Sequence, residues 1–459
     1  MKKTYIDTAM ERIAPDLILK GGNVVDVFSG RVIKADVIIK DGIICGVGSY
    51  SGENEQDVSG KYIMPGFIDS HVHIESSMTQ PSEYAKAVMP HGITTVIADP
   101  HEITNVCGED GLEFMLKSAK NIPLDVNLML PSCVPATPFE HTGANLDAKT
   151  TQKLAPKFFG IGEMMNYPGI VSGDDETLGK LCLDIIDGHA PLLSGHELDA
   201  YASAGIKTDH ECSVVEEMTE KISKGMYILL REGTLSLDVA KLIKDVTPYT
   251  LRRCAFCTDD RFVGEIVRDG SIDHCIRKAV SLGLNNIDAI IMATLNACEM
   301  YGMKNKGAIA PSYVADIVVA DDLNLSSISQ VYKNGKLVCE NGKALFECET
   351  VDNSKVTNTV YLPKISADFF KTDVKDKFDA IELIPESIIT KKVTVSYSDS
   401  LSKVCVIERH HNLGTKGIGF VTNYGITNGA IATSIGHDSH NVIVIGDNDS
   451  DMALAVNTL

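Results

Sequence analysis

The sequence contains no tryptophan, and basic residues are scarce relative to acidic ones. Among its 459 residues, 62 are aspartate or glutamate and 42 are lysine or arginine, which gives a formal net charge of −20. Nucleic acids and anionic membrane surfaces are bound through clustered cationic side chains. The charge balance therefore argues against both as partners of this protein.

Long apolar segments are also missing. The sequence has no run of about 18 apolar residues, so it predicts no membrane-spanning helix. The N-terminal segment MKKTYIDTAMERIAPD lacks the apolar core of a secretory signal peptide. The 12 cysteines are scattered, which is typical of small buried side chains in a reducing compartment and not of a disulfide framework. We therefore predict a cytoplasmic protein.

Two β-rich segments flank the centre of the sequence. Residues 17–48 contain short β-branched runs separated by Gly-Gly, Ser-Gly and Asp-Gly, and residues 314–345 contain two Asn-Gly pairs. Such dipeptides between β-branched runs are typical of hairpins. We predict that the two segments pair with each other in a small β-sandwich domain formed by residues 1–64 and 305–350.

The sequence between these segments alternates regularly between strand and helix patterns. Eight short apolar strands, each ending in a polar residue, recur about every 27 residues between His71 and Asp259. Continuous apolar strands that alternate with amphipathic helices indicate a parallel sheet. Eight such units predict a TIM-like (β/α)8 barrel over residues 65–304. A doubly wound sheet is less favoured, because no glycine-rich phosphate fingerprint follows the first strand.

The composition changes after residue 350. Residues 365–459 carry four strand-like runs and a glycine-rich stretch at 425–436. We predict a C-terminal α+β domain over residues 351–459, so the whole chain belongs to the α/β class. The sequence ends inside a helical pattern without a C-terminal cap, and we expect this domain to be incomplete.

Metal-binding side chains stand at the ends of the predicted barrel strands. They are His71, His73, Glu163, His189, His210 and Asp259. Active sites of such barrels form at the C-terminal ends of the strands, and side chains at i and i+2 share one face of a strand. Each residue alone has a structural alternative, such as a helix N-cap for Asp259. Together they predict a site for two divalent ions that share one carboxylate.

Three further polar groups lie elsewhere in the sequence. They are His101 with Glu102 after the second strand, Arg231 with Glu232 after the seventh, and His437, Asp438 and His440 in the segment GHDSHN. The structural alternative for His101 and Glu102 is a helix cap. For Arg231 and Glu232 it is an ion pair that stiffens a loop. For the third group it is a tight loop held by Asp and Ser hydrogen bonds. Functional and structural roles stay open for all three.

The segment PGFIDSHVHIESS resembles the amidohydrolase superfamily. Together with ADPHEIT, GIGEMMNYPG, DGHAP, DHE, CTDDR and GHDSHNVIVIGD, it resembles the bacterial adenine deaminase family over nearly the whole chain. The resemblance implies a TIM-like barrel, a small β-sandwich and a C-terminal domain. It also implies metal-dependent hydrolysis of adenine, a small-molecule substrate, to hypoxanthine and ammonia in purine salvage, by attack of a metal-bound hydroxide on C6.

The resemblance also implies roles for the strand-end residues. His71, His73 and Asp259 would bind one ion, Glu163 would bridge, and His189 and His210 would hold the second ion. The ions would be Mn²⁺ or Fe²⁺, with Zn²⁺ as an alternative.

Deamination also needs proton transfer. Asp259 suits the transfer of a proton from water to the leaving amine, and His101 or Glu102 suits polarisation of a ring nitrogen. The candidate substrate-binding residues are Arg231, Glu232, His437, Asp438 and His440.

Two other functions stay open. One is a cyclic amidohydrolase of the hydantoin or dihydropyrimidine type, and the other is a catalytically silent barrel scaffold. Many amidohydrolases bridge their ions with a carboxylated lysine, whereas the matching strand here offers Glu163, which favours the deaminase. A scaffold would be expected to have lost ligands, and all six are present. We expect a homo-oligomer, by default a dimer.

Overall fold

The structure, a computed structural model, describes residues 2–373, 376–385, 390–396 and 401–459. The chain divides into two compact units, and each is described by itself. The first comprises residues 1–100, 115–130 and 148–351, and the second comprises residues 101–114, 131–147 and 352–459. Among the described residues, no helix combines the length and apolar character needed to cross a membrane.

The first unit begins with one helix and five strands. They are α1 Lys2–Ala9, β1 Leu17–Asp26, β2 Arg31–Lys40, β3 Ile43–Gly48, β4 Glu55–Asp57 and β5 Tyr62–Pro65. Asp41 and Gly42 connect β2 to β3 with φ of +50° and +75°, as a tight hairpin turn requires. The predicted turn at Gly21-Gly22 is wrong. These residues lie inside β1, where its register against β2 shifts and forms a bulge.

Eight parallel strands follow. They are β6 Phe67–Val72, β7 Ile93–Ala98, β8 Asp125–Leu130, β9 Gly160–Met164, β10 Ile186–Gly188, β11 Thr208–Asp209, β12 Tyr227–Arg231 and β13 Cys254–Cys257. Strands β6 to β10 form one sheet in chain order, and β11 to β13 form another. An isolated parallel bridge between Val72 and Asp259 joins β13 to β6. This arrangement confirms the predicted TIM-like barrel.

The barrel strands read as continuous apolar runs because both of their faces are covered. Every residue of β6, β7, β9 and β13 is buried. Cys254 and Cys257 are among them, as predicted for core cysteines, and all 12 cysteines are free thiols. The sequence predicts one continuous first barrel strand, YIMPGFIDSHVH, over residues 62–73. The structure instead has two strands separated at Gly66, because β5 joins the small β-sheet and only β6 joins the barrel.

Helices connect the barrel strands. They are α2 Pro81–Val88, α3 His101–Ser118, α4 Ala148–Leu154, α5 Tyr167–Ser172, α6 Asp175–Gly179, α7 Gly195–Ser203, α8 Val215–Ser223, α9 Val239–Leu242, α10 Val263–Asp269, α11 Ile272–Ser281, α12 Asn286–Met292 and α13 Leu295–Met300. Helix α3 is kinked at Gly108, whose φ is +56°. Short 3₁₀ turns include Ile74–Ser77 and Met89–His91.

The first unit ends with four more strands of the small sheet. They are β14 Ile317–Ala320, β15 Ile328–Lys333, β16 Lys336–Glu340 and β17 Lys343–Ala344. Strand β14 pairs antiparallel with β5, so the two β-rich segments pair as predicted. The sheet order is β17-β16-β15-β14-β5-β1-β2-β3, with β4 on β1. Both Asn-Gly pairs form the predicted turns with positive φ at each residue.

Among its described residues, the second unit contains a mixed six-stranded sheet, one further helix and residues 101–114 of α3. Its elements are β18 Lys377–Leu383, β19 Thr390–Ser396, β20 Ser402–Ile407, β21 Lys416–Thr422, β22 Ala430–Thr433, β23 Val442–Gly446 and α14 Asp449–Thr458. The four predicted runs correspond to β19, β20, β21 and β23, although residues 397–398 of the first run lie outside the described residues. Phe370, Cys405, Val444 and Met452 pack in the core between sheet and helix.

Candidate metal centre

His71 and His73 stand at the end of β6 with their rings on one side of the strand. Their Nε2 atoms are 3.2 Å apart. His73 Nδ1 lies 2.8 Å from the carbonyl oxygen of Asp99. Because a carbonyl oxygen only accepts, Nδ1 of His73 carries the proton and, in the neutral ring, Nε2 presents a lone pair. The hydrogen bond to the Asp99 carbonyl therefore fixes His73 in the tautomer and orientation that a metal ligand needs.

Glu163 of β9 lies between the histidines of different strands. Its Oε1 is 3.4 Å from His73 Nε2, whereas its Oε2 is 2.6 Å from His189 Nδ1 and 3.1 Å from His210 Nε2. The backbone amide of Glu163 donates to Asp99 Oδ2 at 2.9 Å, which fixes the end of β9. The two carboxylate oxygens therefore face different imidazoles, which is the arrangement that a bridging ligand requires.

Asp259 follows β13 and joins it to β6 through its backbone. Its amide donates to the His71 carbonyl at 3.0 Å, and its own carbonyl accepts from the His73 amide at 3.2 Å. Its φ is +57°, in a region that aspartate tolerates better than most residues. Its Oδ1 lies 3.2 Å from His73 Nε2 and 3.6 Å from His71 Nε2. The same residue closes the barrel and presents a carboxylate to both rings.

The donors of this group fit a divalent metal. Two imidazole lone pairs that face each other at 3.2 Å repel unless a proton or a cation lies between them. Several triads drawn from the six predicted ligands have donor atoms within 4.8 Å of one another, among them His71, His210 and Asp259. Imidazole and carboxylate donors together suit Mn²⁺, Fe²⁺ and Zn²⁺. The chain therefore brings together residues that could hold divalent metal.

The electrostatic environment of the group favours positive charge. Burial opposes a proton on His71, but Asp187 and Asp259 beside the ring raise its pKa to about 10. Burial also opposes a proton on His189, and the charge of Glu163 raises that pKa to about 9. Surroundings that stabilise protonated imidazoles also stabilise a bound cation, which displaces those protons.

Arg231 ends β12 and contacts three carboxylates. Its Nη1 donates to Asp259 Oδ2 at 3.0 Å and also to Glu211 Oε1, and its Nε donates to Asp238 Oδ2 at 3.0 Å. Glu211 directly follows His210, and its Oε1 lies 3.6 Å from His210 Nε2. The sequence places Glu211 in the DHE motif, but its side-chain partner was not predicted.

Glu232 points away from Arg231. It forms an ion pair with Lys278 of α11, and its Oε1 lies 3.9 Å from His274 Nε2. Successive residues of a strand face opposite sides, so the two side chains find different partners. Arg231 and Glu232 therefore do not pair with each other and belong to separate ion pairs.

Lys221 of α8 contacts the segments that follow β10 and β11. This α8 side chain has no exposed surface, and its Nζ donates to Glu217 Oε1 and to the Ala190 carbonyl, each at 2.7 Å. Its Nζ is also 3.0 Å from Asp209 Oδ2, which accepts from the Ala190 amide at 2.9 Å. Ala190 and Asp209 are the chain neighbours of His189 and His210, so this network fixes both loops.

The other predicted residues form a second polar cluster, which belongs to the second unit. Glu102 is buried among three imidazoles: its Oε1 is 3.1 Å from His101 Nε2 and 2.6 Å from His437 Nδ1, and its Oε2 contacts His440. Asp438 Oδ1 lies 3.7 Å from His101 Nε2. Burial opposes ionisation of Glu102, but the charge of His101 holds its pKa below the usual range. His101, Glu102, His437 and Asp438 could also hold a metal ion.

Comparison with known proteins identifies the family. The amidohydrolase family model matches residues 62–338, and the adenine deaminase C-terminal domain model matches residues 383–459. An adenine deaminase of Clostridium acetobutylicum is 47% identical over 474 residues, which cover 99% of this chain and 83% of that protein. The chain belongs to the adenine deaminase family of amidohydrolases. This confirms the resemblance seen in the sequence motifs.

Other adenine deaminases align with this chain over a similar length. The adenine deaminase 2 of Desulfotalea psychrophila is 45% identical and covers 100% of this chain and 83% of that protein. Among solved structures, a β-aspartyl dipeptidase of Fervidobacterium islandicum aligns with a TM-score of 0.54 at 20% identity, over 73% of this chain and 99% of that chain. The structural match shows that this chain shares the fold of that enzyme over the aligned part.

Proposed function

We propose that this protein is an enzyme that hydrolyses adenine to hypoxanthine and ammonia. The observation that carries the proposal is the meeting of imidazole and carboxylate donors at the C-terminal ends of the barrel strands. It occurs in a chain that is 47% identical to an adenine deaminase. Such strand ends are where barrel enzymes place their chemistry.

The proposed centre holds two divalent ions, Mn²⁺ or Fe²⁺, with Zn²⁺ as an alternative. His71, His73 and Asp259 would hold one ion, His189 and His210 would hold the other, and Glu163 would contribute its carboxylate to both. When bound, the ions supply the Lewis acidity that lowers the pKa of a water molecule to near neutrality.

Asp259 is the proposed acid and base of the reaction. Its carboxylate takes a proton from the attacking water as the oxygen–C6 bond forms, and returns it to the exocyclic nitrogen as the C6–N bond breaks. The products are then hypoxanthine and ammonia. The contacts of Asp259 with His71, His73 and Arg231 support this role, because they fix both carboxylate oxygens.

The second cluster supplies the remaining proposed roles. His101 or Glu102 polarises or protonates a ring nitrogen while negative charge develops on the purine. His437, Asp438 and His440 bind the substrate, and the contacts of Glu102 with His437 and His440 support a shared role for these residues.

Arg231 and Glu232 are the predicted substrate contacts outside the second cluster. Glu232 is proposed as a substrate contact, although Lys278 already pairs with it. The sequence also predicts Arg231 as a substrate contact, but three carboxylates already engage its donors, so a structural role is preferred for Arg231.

The alternative functions are not favoured. A hydantoin or dihydropyrimidine hydrolase would be supported by a bridging lysine, and β9 presents Glu163 at that place. A silent scaffold would be supported by the loss of donors, and the predicted ligands are all present in the sequence. The curated relatives described above are named adenine deaminases.

Assembly and location belong to the same proposal. We propose three domains, formed by residues 1–64 with 305–350, by residues 65–304 and by residues 351–459. We further propose a cytoplasmic homodimer that acts on a small molecule and not on nucleic acid or membrane, in keeping with the net charge of −20.

Ammonia release from adenine tests the proposal. Protein loaded with Mn²⁺ is compared with Glu163→Gln and with Glu347→Gln, whose exposed carboxylate pairs only with Lys86 among the described ion pairs. We expect hypoxanthine and ammonia from the wild type and from Glu347→Gln, and a loss of at least about 100-fold in Glu163→Gln. Folded, metal-loaded wild type that leaves adenine intact but opens a cyclic amide would overturn it.

A further inference from the structure

Arg231 is a single buried cation that faces three buried carboxylates. Its side chain is 5% exposed, and those of Glu211, Asp238 and Asp259 are 11%, 2% and 8% exposed. Burying a guanidinium is costly unless its donors are paired, and here Nε, Nη1 and Nη2 all have carboxylate partners. An isolated loop-stiffening pair would need only one of these acids.

The three acids come from separate parts of the barrel. Asp259 follows β13 and presents its other oxygen to His71 and His73, whereas Glu211 follows β11. Asp238 has a different environment, because its second oxygen accepts from Lys241, which is half exposed, at 2.7 Å. Arg231 therefore links Asp238, a buried anchor that also pairs with the half-exposed Lys241, to two acids that face the metal ligands.

Glu211 faces the side of the centre formed by His189 and His210. Its Oε1 lies 3.6 Å from His210 Nε2 and 4.0 Å from His189 Nδ1, which is too far for a hydrogen bond. At these distances the carboxylate acts on the two rings through its charge. It adds a third negative charge to those of Glu163 and Asp259.

We infer that Arg231 is a positioning residue that holds Asp259 and Glu211 together, and that Glu211 is a further carboxylate of the centre, facing a divalent cation on the His189–His210 side. The expected effects on kcat rest on the proposed function, whereas the metal-binding role of Glu211 does not depend on it. Only the planar fork of arginine has donors that can contact all three acids in fixed directions, so lysine is a poor replacement.

Chemical rescue tests the role of Arg231. The enzyme loaded with Mn²⁺ is assayed for ammonia release as Arg231→Ala and Arg231→Lys, with and without added guanidinium at concentrations that leave the wild type folded. We expect kcat to fall about 100-fold in Arg231→Ala with KM within a few-fold, because misplaced groups slow the reaction without weakening binding. Guanidinium is expected to restore at least about tenfold of this loss, and Arg231→Lys to stay impaired.

Arg277→Ala is the matched control. It removes another arginine–aspartate pair of the first unit, with Asp273 at 2.7 Å, outside the proposed site. We expect wild-type activity and no response to guanidinium. If Arg231→Ala retains full activity, or if folded Arg231→Ala is slow and guanidinium does not help, the positioning role is wrong.

Asp238→Asn tests the same positioning role if Arg231→Ala does not fold. It removes the charge of the anchor that contacts Nε and leaves the two acids of the centre in place. We expect about tenfold lower kcat, within the range for partners that orient a metal ligand. Unchanged kcat in folded Asp238→Asn would contradict the proposed link.

Metal content tests Glu211 without any assay of turnover. Wild type and Glu211→Gln are loaded with Mn²⁺, dialysed against a graded series of chelator concentrations, and analysed for Mn²⁺ per chain. We expect Glu211→Gln to lose one of two ions at a chelator concentration at least about tenfold lower than the wild type. Identical curves would overturn the role of Glu211. A third outcome separates the two proposals. If the wild type binds two ions, Glu211→Gln binds one, and the wild type leaves adenine intact, the proposed function is wrong and this inference stands.

Discussion

At the scale of single residues, the sequence predicts donor types better than it predicts partners. His71 and His73 are recognisable because the strand period puts both on one face, and Glu163 because it ends a buried strand. The contacts of Arg231 could not be predicted, since Asp238, Glu211 and Asp259 lie at unrelated distances along the chain. Which acids Arg231 contacts depends on the register of the neighbouring strands. No local sequence pattern predicts that register.

Gly162 tests how tightly the residues of the centre are packed. A Cβ at this position of β9 would overlap the Asp99 carboxylate, which accepts from the Glu163 amide. We expect Gly162→Ala to displace Asp99, to weaken Mn²⁺ binding and to lower activity by about 10- to 100-fold. Metal content and ammonia release measure both effects.

Gly417→Ala provides the comparison for Gly162→Ala. Gly417 lies in β21, where an added Cβ meets nothing within 4 Å. We expect unchanged metal content and activity. Wild-type behaviour of Gly162→Ala would show that Asp99 moves freely and would contradict the packing argument.

At the scale of elements, the eight barrel strands were predictable because each is an apolar run followed by polar residues. Their lengths were not, since β11 comprises only Thr208–Asp209. Two strands of the second unit escaped prediction for different reasons. Strand β18, KFDAIEL, alternates in polarity except at the adjacent apolar pair Ala380 and Ile381, whereas β22 is four residues inside a glycine-rich stretch and has no such pattern.

Lys221 shows how one helix residue supports two strand ends. Lys221→Met would leave Asp209 and Glu217 buried without their cation. Breaking a buried ion pair from one side costs about 3–5 kcal/mol, so we expect a loss of that size in the free energy of unfolding. We also expect reduced Mn²⁺ content, because the loops that carry His189 and His210 lose their common support. Urea unfolding and metal analysis measure the two effects.

Lys224→Met is the control on the same side of the barrel. Lys224 follows α8 and pairs with Asp199, and both side chains are substantially exposed. We expect little change in stability or metal content. Equal losses in the two variants would mean that the charge of the helix, and not the buried network, stabilises the strand ends.

At the scale of the whole molecule, the sequence predicted which distant segments associate. The pairing of β5 with β14 follows from two β-rich segments that each lack a partner nearby. The three-domain division stays a prediction. What the sequence could not show is the charged group that connects barrel and small sheet within the first unit. Lys333 Nζ is 2.7 Å from Asp125 Oδ2 of β8 and 2.7 Å from Asp316 Oδ2 beside β14.

Acid should weaken this connection. Burial opposes ionisation of Asp316, but Lys333 and Lys306 lower its pKa. A depressed folded pKa stabilises the protein above the unfolded pKa of about 3.9, and this contribution is lost as pH falls through the folded pKa. We expect Asp316→Asn to be about 2 kcal/mol less stable at pH 7 and to lose less further stability towards pH 3 than the wild type.

Urea unfolding at pH 7, 5, 4 and 3 measures the effect. Asp321→Asn, whose exposed carboxylate pairs with Lys61, serves as control and should follow the wild type. Parallel pH curves for Asp316→Asn and wild type would show that the buried aspartate does not contribute to acid sensitivity.

The pairing of β5 with β14 has a consequence for biosynthesis. About 250 residues separate the two strands, so at 5–20 residues per second the ribosome needs roughly 13 to 50 s to deliver the second after the first. During that interval the hydrogen-bonding edge of β5 has no partner, and such edges template association between chains. Nascent chains of this protein should therefore depend on chaperones that cover the N-terminal hairpins until translation has passed β14.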